Sequence, residues 1–415
     1  MKNIKIYSLL GCLCLMMQSC LYSEDDIFDE SSAQRAIASV NECKEVLKSA
    51  PNGWGLKYYT GEGAEYGGFN LFAKFDDETV TLASEVATSS YGIGEDVVSL
   101  YKVASFQGTE LSFDSHNELI HLFCEPNGYN DPGYAGDYEF VFRSVSKEKI
   151  VLTGKKHGVT LIMTPLSENL SWKPELVKIA ALADDAAYVT FSLVVNGKEI
   201  TKMGRSERAF TIAETDNSGQ TTINSYPFIY TSDGAEMYQP FVVNGVEMSH
   251  FLWDSKSATY TCTDEGVDAK IVFYCPEGYP QYIGKYILKS DAGNISCALE
   301  QKRMGSTYSL KMNLGTSPIE LVFDYNQDTD CIDLLSQVVG QYRGFDLYFY
   351  PGYGTSLFPY AGVGFTGKVS VEDPMTITFT YNNNNSSVNT ILFIYINGGY
   401  RLVGSLVNPV LVKQS

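Results

Sequence analysis

Positive charge is short in this chain: 30 Lys and Arg stand against 49 Asp and Glu, a formal net charge of −19. A field of that sign disfavours nucleic acid and anionic membrane surfaces as partners. Histidine is scarcer still, with four residues, and none falls in a recognisable metal constellation. His116 and His121 lie five positions apart, whereas a helical zinc pair needs i, i+4 with Glu beside the first His. They read instead as His121 packed beside Leu122-Phe123 and His116 capping a turn. His157 falls in a turn, and His250 sits near Trp253 at a strand surface. There is no G-x-S-x-G elbow, no P-loop and no G-x-G-x-x-G leading from a strand into a helix. Beyond residue 20 no apolar run approaches the ~20 residues a membrane-spanning helix requires. The body is therefore expected to be soluble, and tethered rather than spanning.

Against these absences the leader is explicit. Lys2 and Lys5 form a positive segment, residues 6–17 an apolar one, and Ser19-Cys20 follows directly. A run this short reads as a secretory signal peptide, residues 1–19. A Cys immediately after a small residue resembles a bacterial lipobox, which makes Cys20 the lipidated residue. Three acyl chains at roughly 0.8 kcal/mol per buried CH2 give effectively permanent attachment. Ser23-Glu24-Asp25-Asp26 then opens an acidic tether, residues 20–30. It resembles a surface-export tag, although a plain solvated tether would carry the same residues. Together these features point to an outer-membrane lipoprotein facing the cell exterior. Loss of Lys2 and Lys5 with the leader takes the net charge to about −21.

The body reads as mainly β: antiparallel sheets, barrel-like or sandwich modules, punctuated by an N-terminal helix and one inter-domain helix. Ser31-Ser32 caps a helix with apolar positions Ala33, Ile37, Val40, Cys43 and Leu47, ended by Ala50-Pro51-Asn52-Gly53. From Trp54 the period changes to two. Phe69, Leu71, Ala73 and Phe75 alternate before Asp76-Asp77 turns the chain, and strand runs follow at 97–103, 110–113, 138–142, 150–153 and 159–164. Ser171-Trp172-Lys173-Pro174 opens the second helix, with Pro in the first turn where its missing N–H costs little. This gives a helix plus antiparallel β domain over 31–165, a helix plus second β-rich segment over 166–280, and a C-terminal β domain over 281–415. Asn196-Gly197, Asn217-Ser218-Gly219, Asp233-Gly234, Asn244-Gly245 and Asn397-Gly398 are hairpin turns. Six cysteines besides Cys20 follow the leader. Cys43, Cys124 and Cys297 read as small buried hydrophobes, while Cys262 and Cys275 could pair across neighbouring strands.

Several phrases carry a family resemblance: Asn52-Gly53-Trp54, Tyr66-Gly67-Gly68-Phe69, Leu111-Ser112-Phe113-Asp114 before Asn117, Gly136-Asp137-Tyr138-Glu139-Phe140 and Leu152-Thr153-Gly154-Lys155-Lys156. Together they resemble the Bacteroidetes lipoprotein family called domain of unknown function 4302. The match covers most of the chain after the leader and is clearest between residues 52 and 165. The resemblance implies an accessory surface lipoprotein, associated with an uptake system that pairs a TonB-dependent transporter with a SusD-like lipoprotein. It supplies no catalytic or binding residue and no cofactor.

Three chemistries remain to be weighed. Asp324-Tyr325-Asn326-Gln327-Asp328-Thr329-Asp330 places oxygen groups at alternate positions like the start of a calcium loop. Thr329 stands where Gly is required and Leu335 where the bidentate Glu should be, so an Asx-rich hairpin turn explains it better and no metal is expected. Catalytic carboxylate pairs are defined by a distance in space, so a hydrolase stays open. Aromatic loops are the third signal. Tyr348, Tyr350 and Tyr353, followed by Phe358 and Tyr360, crowd rings, Gly and Pro into one loop, and residues 125–134 form a second. Exposed tyrosine suits stacking on sugar or gripping peptide. The expected function is thus a non-enzymatic accessory binding protein for glycan, peptide or another nutrient, with a structural subunit of a surface complex as the alternative.

Overall fold

The computed structural model describes residues 31–126, 133–216, 218–354, 356–360, 362–370, 375–383 and 387–414. The leader, Cys20 and Ser23, Glu24, Asp25 and Asp26 lie outside the described residues, as does most of the second aromatic segment. The protein is mainly β, and its strands pair antiparallel apart from one bridge described below.

The first ring holds β1 (Trp54–Tyr59), β2 (Gly68–Phe75), β3 (Thr79–Ser84), β4 (Val97–Leu100), β5 (Lys102–Ser105), β6 (Thr109–Ser112), β7 (Glu139–Val145), β8 (Ile150–Gly154) and β9 (Thr160–Pro165). β4 and β5 are two halves of one run broken at Tyr101; one half pairs β3 and the other β6, and β9 returns to β1 to close the ring. The second ring is a plain meander. Its strands are β10 (Thr190–Val195), β11 (Lys198–Ser206), β12 (Ala209–Thr215), β13 (Thr221–Tyr230), β14 (Gly234–Val243), β15 (Val246–Asp254), β16 (Thr259–Cys262) and β17 (Ala269–Phe273), with β17 returning to β10.

The third ring runs through β18 (Gly284–Ser290), β19 (Gly293–Arg303), β20 (Thr307–Leu314), β21 (Ser317–Asn326) and β22 (Cys331–Leu335). It is completed by β26 (Gly364–Val369), β27 (Thr376–Tyr381) and β30 (Val410–Lys413), which pairs β18. Between β22 and β26, and again before β30, the chain leaves the ring to build an appended sheet. That sheet is β23 (Gln337–Tyr342), β24 (Phe345–Tyr353), β28 (Thr390–Ile396) and β29 (Tyr400–Val407), with the short β25 (Ser356–Leu357) beside β24. It joins the ring through a single bridge, Ile319 to Gly340.

Each ring is filled by side chains, as small barrels are. Helix α1 (Ser32–Lys48) begins in a capping box, where Ser31 Oγ accepts from Gln34 N–H and Gln34 Oε1 accepts from Ser31 N–H. Its buried Cys43 and Leu47 join the first core, and the Trp54 indole N–H donates to the Leu47 carbonyl at 2.7 Å. The short α2 (Glu118–His121) is capped by Asn117 and adds Leu119 and Ile120 to the same core. Helix α3 (Trp172–Asp185) faces two ways: Leu176 packs on Phe72 and Ala83 outside the first ring, while Ile179 belongs to the second core. A buried tyrosine cluster closes the third ring, in which Tyr279 stacks on Tyr308 at 4.4 Å and each donates its hydroxyl to a backbone carbonyl.

The first two rings are locked together. β2 and β13 meet in the one parallel bridge, Gly68 to Ile229. A Cβ on Gly68 would stand 2.7 Å from the Ile229 Cβ and one on Gly67 2.4 Å from the Arg208 Cβ, so the second ring leaves no room for a side chain at either glycine. Beside it the Arg208 guanidinium donates to Glu85 Oε1 and to the Gly68 carbonyl, both at 2.7 Å, and lies 4.1 Å over the Phe69 ring. Lys57 donates to Glu236 at 2.6 Å, and Tyr59 packs on Tyr238 at 4.5 Å.

Candidate ligand-binding face

Tyr348 and Tyr350 do not lie on a loop. Residues 345–353 form β24, and the period of two divides the aromatic set between opposite faces. Phe349 points into the third core against Phe365, and Phe358 packs on Tyr381 at the margin of that core. Tyr348 and Tyr350 stand on the other face with parallel ring planes, 5.8 Å between centroids. Tyr353 and Tyr360 are exposed at the far end of β24 and just beyond β25. The five residues therefore form no single platform; Tyr348 and Tyr350 alone share the outer face of β24 as a stacked pair.

Cross-strand register completes that face with residues the aromatic signal did not single out. Val338 and Ile394 flank Tyr348, Leu392 flanks Tyr350, and Leu402 lies beyond Ile394. Ile396 pairs with Tyr400. Leu392 and Ile394 are covered, whereas Val338, Ile396, Tyr400 and Leu402 are 52%, 47%, 53% and 52% exposed. Desolvation raises the Tyr350 hydroxyl above its ordinary value, and the neighbouring Tyr348 and Tyr400 hydroxyls add to the shift. Three phenols thus converge on an open apolar surface of a kind that marks interaction sites on soluble proteins. Tyr400 and Leu402 were legible in principle: they alternate directly after the Asn397-Gly398 turn, on the strand that must return along 391–396. Where β23 leaves the ring, a cleft of about 490 Å³ adjoins this sheet, lined by Lys311, Met312, Asn313, Ile319, Glu320 and Val339 among others.

The histidines gather more than the sequence suggested. His121 lies between His116 and Tyr138, 4.8 Å from each ring, rather than simply beside Leu122-Phe123. The turn is capped by Asn117, not by His116, which instead approaches Glu125 at 3.4 Å. A cleft of about 480 Å³ opens here, with Asp114 and Glu139 on its wall. Burial holds the His121 imidazole below its ordinary value, and its Nδ1 lies 3.0 Å from the Asn117 carbonyl. Among the described residues no three His, Cys, Asp or Glu side chains come together to hold a metal ion. His157 sits in a turn, where its N–H donates to Asp137, and His250 is exposed on β15 with Asp264 2.7 Å from its Nδ1.

The acidic turn at 324–330 has a structural use. Asn326 Oδ1 accepts from the N–H groups of Asp328 and Thr329, an Asx turn. Asp330 accepts from Gln281 and from the Tyr325 hydroxyl, and its carbonyl accepts from Tyr282. Asp324 and Asp333 face each other across β21 and β22, and desolvation together with the Asp333 carboxylate raises the Asp324 carboxyl above its ordinary value. The six described cysteines are free, Cys262 and Cys275 included. Burial pushes the Cys43 thiol up to about 11 and the Cys124 thiol up to about 12, so neither supplies a thiolate near neutrality.

Several of the Gly and aromatic phrases that carry the family resemblance are explained by packing. The Tyr58 hydroxyl donates to the Asp137 carbonyl at 2.7 Å, and Asp137 in turn accepts from the N–H groups of Lys156 and His157. A Cβ on Gly154 would come within 1.9 Å of the Asp137 carboxylate. Gly136-Asp137 and Gly154-Lys155-Lys156 are thus two halves of one joint. A family model described as Domain of unknown function (DUF4302) matches residues 24–255, more than half of the chain. The match takes in the first ring and most of the second, and leaves the third ring and its appended sheet outside. No curated protein matches the chain.

Proposed function

From the premise that the chain belongs to the DUF4302 family, we propose that it is a surface-exposed outer-membrane lipoprotein anchored through Cys20. Its role in this reading is non-enzymatic: an accessory binding protein of an uptake system, taking glycan, peptide or another nutrient on the outer face of the appended sheet. The observation that carries the reading is the tyrosine-centred apolar face around Tyr348, Tyr350 and Tyr400. Rings with polar tips offer both stacking area and hydroxyl hydrogen bonds to a ligand. The leader, the lipobox and the acidic segment support the anchor. Among the described residues no helix is long and apolar enough to cross a membrane. A TonB-dependent transporter and a SusD-like lipoprotein are the partners this reading proposes.

The exposed aliphatic residues Val338, Ile396 and Leu402 favour a second reading, in which the same flat face docks a partner and the chain is an assembly subunit of the surface complex. A thermal-shift screen of residues 21–415 against host and dietary glycans, peptides, haem and calcium separates the two. A ligand at about 100 times its dissociation constant adds roughly 2.7 kcal/mol. The binder is expected to give a hit that disappears in Tyr348→Ala/Tyr350→Ala. A screen in which nothing shifts the melting point overturns it in favour of the assembly subunit.

A further inference from the structure

The appended sheet has an open edge. β29 pairs with β28 and ends the strand order. Its last carbonyl, that of Val407, accepts from Asp291 N–H at 3.1 Å, which covers one end. Toward the turn, Tyr400, Arg401 and Leu402 are exposed. Natural edge strands are blunted by Pro, by charged side chains, especially Lys, by bulges or by a covering loop. β29 contains no Pro, no Lys and no acid; its pairing with β28 shifts register once, at Val403, and on the turn side of that shift it presents Tyr400 and Leu402 on the same face as Tyr348 and Tyr350. Its one charge, Arg401, has no ion pair among the described residues, in a chain whose acids outnumber its bases 49 to 30. An unpaired cation on an edge with no strand partner is complementary to an incoming carboxylate.

We propose that β29 takes an extended peptide as an added strand. The peptide is apolar at alternate positions, so that it continues the Tyr400 and Leu402 face, and acidic at the position beside Arg401. Backbone hydrogen bonds along the edge hold the peptide, and the alternate side chains select it. The proposal rests on the reading of this sheet as the binding surface and names the ligand class as polypeptide.

The test pans phage-displayed random dodecapeptides on immobilised residues 21–415 and measures the enriched peptide by fluorescence anisotropy. Enriched sequences are expected to alternate apolar residues and to carry an Asp or Glu. Arg401→Glu weakens binding about tenfold, a Lys in place of the peptide acid restores it, and Leu402→Lys weakens it to a similar degree. Both substitutions are at exposed positions, and a circular dichroism melt checks that each variant folds. The proposal is overturned if no peptide is enriched, or if the enriched peptide is indifferent to both variants. It is overturned too if sedimentation shows a dimer of the chain that Leu402→Lys dissolves, because a second copy then fills the edge. A glycan that binds through Tyr348 and Tyr350 while no peptide is retained leaves the accessory-binding reading standing and removes this one. Silence of both glycans and peptides removes both.

Discussion

The junction between the first two rings and the outer face of the appended sheet solve one problem in opposite ways. At both places strands present side chains away from a ring interior. At the junction those side chains meet another ring: Tyr59 and Ile229 are buried, Glu85 has its carboxylate against Arg208, and Lys57 has Glu236. On the appended sheet Tyr348 and Tyr350 pack only on each other and their strand neighbours and stay half-buried, and Tyr400 and Leu402 are about half exposed. The first surface is finished by the molecule itself and the second is left open. The family match covers the finished surface and stops before the open one. The candidate binding face belongs to the part of the chain beyond the match.

The comparison breaks most sharply at Arg208. Its loss in Arg208→Ala leaves Glu85 buried without its cation, a change expected to cost about 3–5 kcal/mol. With three rings in the chain, unfolding is better followed ring by ring than as one transition. Hydrogen exchange should show protection falling in β2, β3 and β12 while the third ring is unchanged. An unaltered exchange pattern would mean that the ion pair does not hold the rings together. Gly68→Ala tests the same joint sterically. Its new Cβ has no room beside Ile229 and Tyr59, and overpacking of this kind costs about 1–3 kcal/mol in denaturant melts.

The histidine cleft is intermediate between the two surfaces, partly covered and titratable. His121 has a folded-state value below its unfolded one, so the unfolded chain takes up its proton first. The stability this neutral imidazole contributes is complete above the unfolded value of about 6.5 and is lost as pH falls through that value toward the folded one. Melting temperatures of His121→Phe should consequently fall less between pH 8 and pH 5 than those of the wild type; equal slopes would dissociate His121 from acid stability. The smallest effect is expected on the open face. Tyr400→Ser and Leu402→Lys should each change stability by no more than about 0.5 kcal/mol. A larger loss would show that the face serves the third core rather than a ligand.

Much of this architecture was legible because its signals are local. The capping box at Ser31 and Gln34 and the Asn-Gly turns depend on neighbours in sequence, and so does the alternation of Phe69, Leu71, Ala73 and Phe75. The run over 97–103 also read as a strand, but not as one broken at Tyr101 so that its halves serve different neighbours. Tyr348 to Gly354 misled for a related reason. Rings, Pro and Gly crowd a loop as readily as they crowd a strand whose two faces are both apolar. His116, His121 and Tyr138 are brought together by a short helix and a returning strand that no spacing rule covers.

By itself the sequence determined a mainly β chain with helices at 32–48 and 172–185, its turns, and the sets of alternate residues that share a face. Tertiary structure alone decided which of those faces is covered. A period of two assigns Tyr348 and Tyr350 to one side of β24 and Phe349 to the other, but carries no information on which side meets solvent. That depends on contacts between residues far apart in the chain, such as Glu85 and Arg208, 123 positions apart. The rings close, and one sheet face stays open, because of where those distant partners arrive.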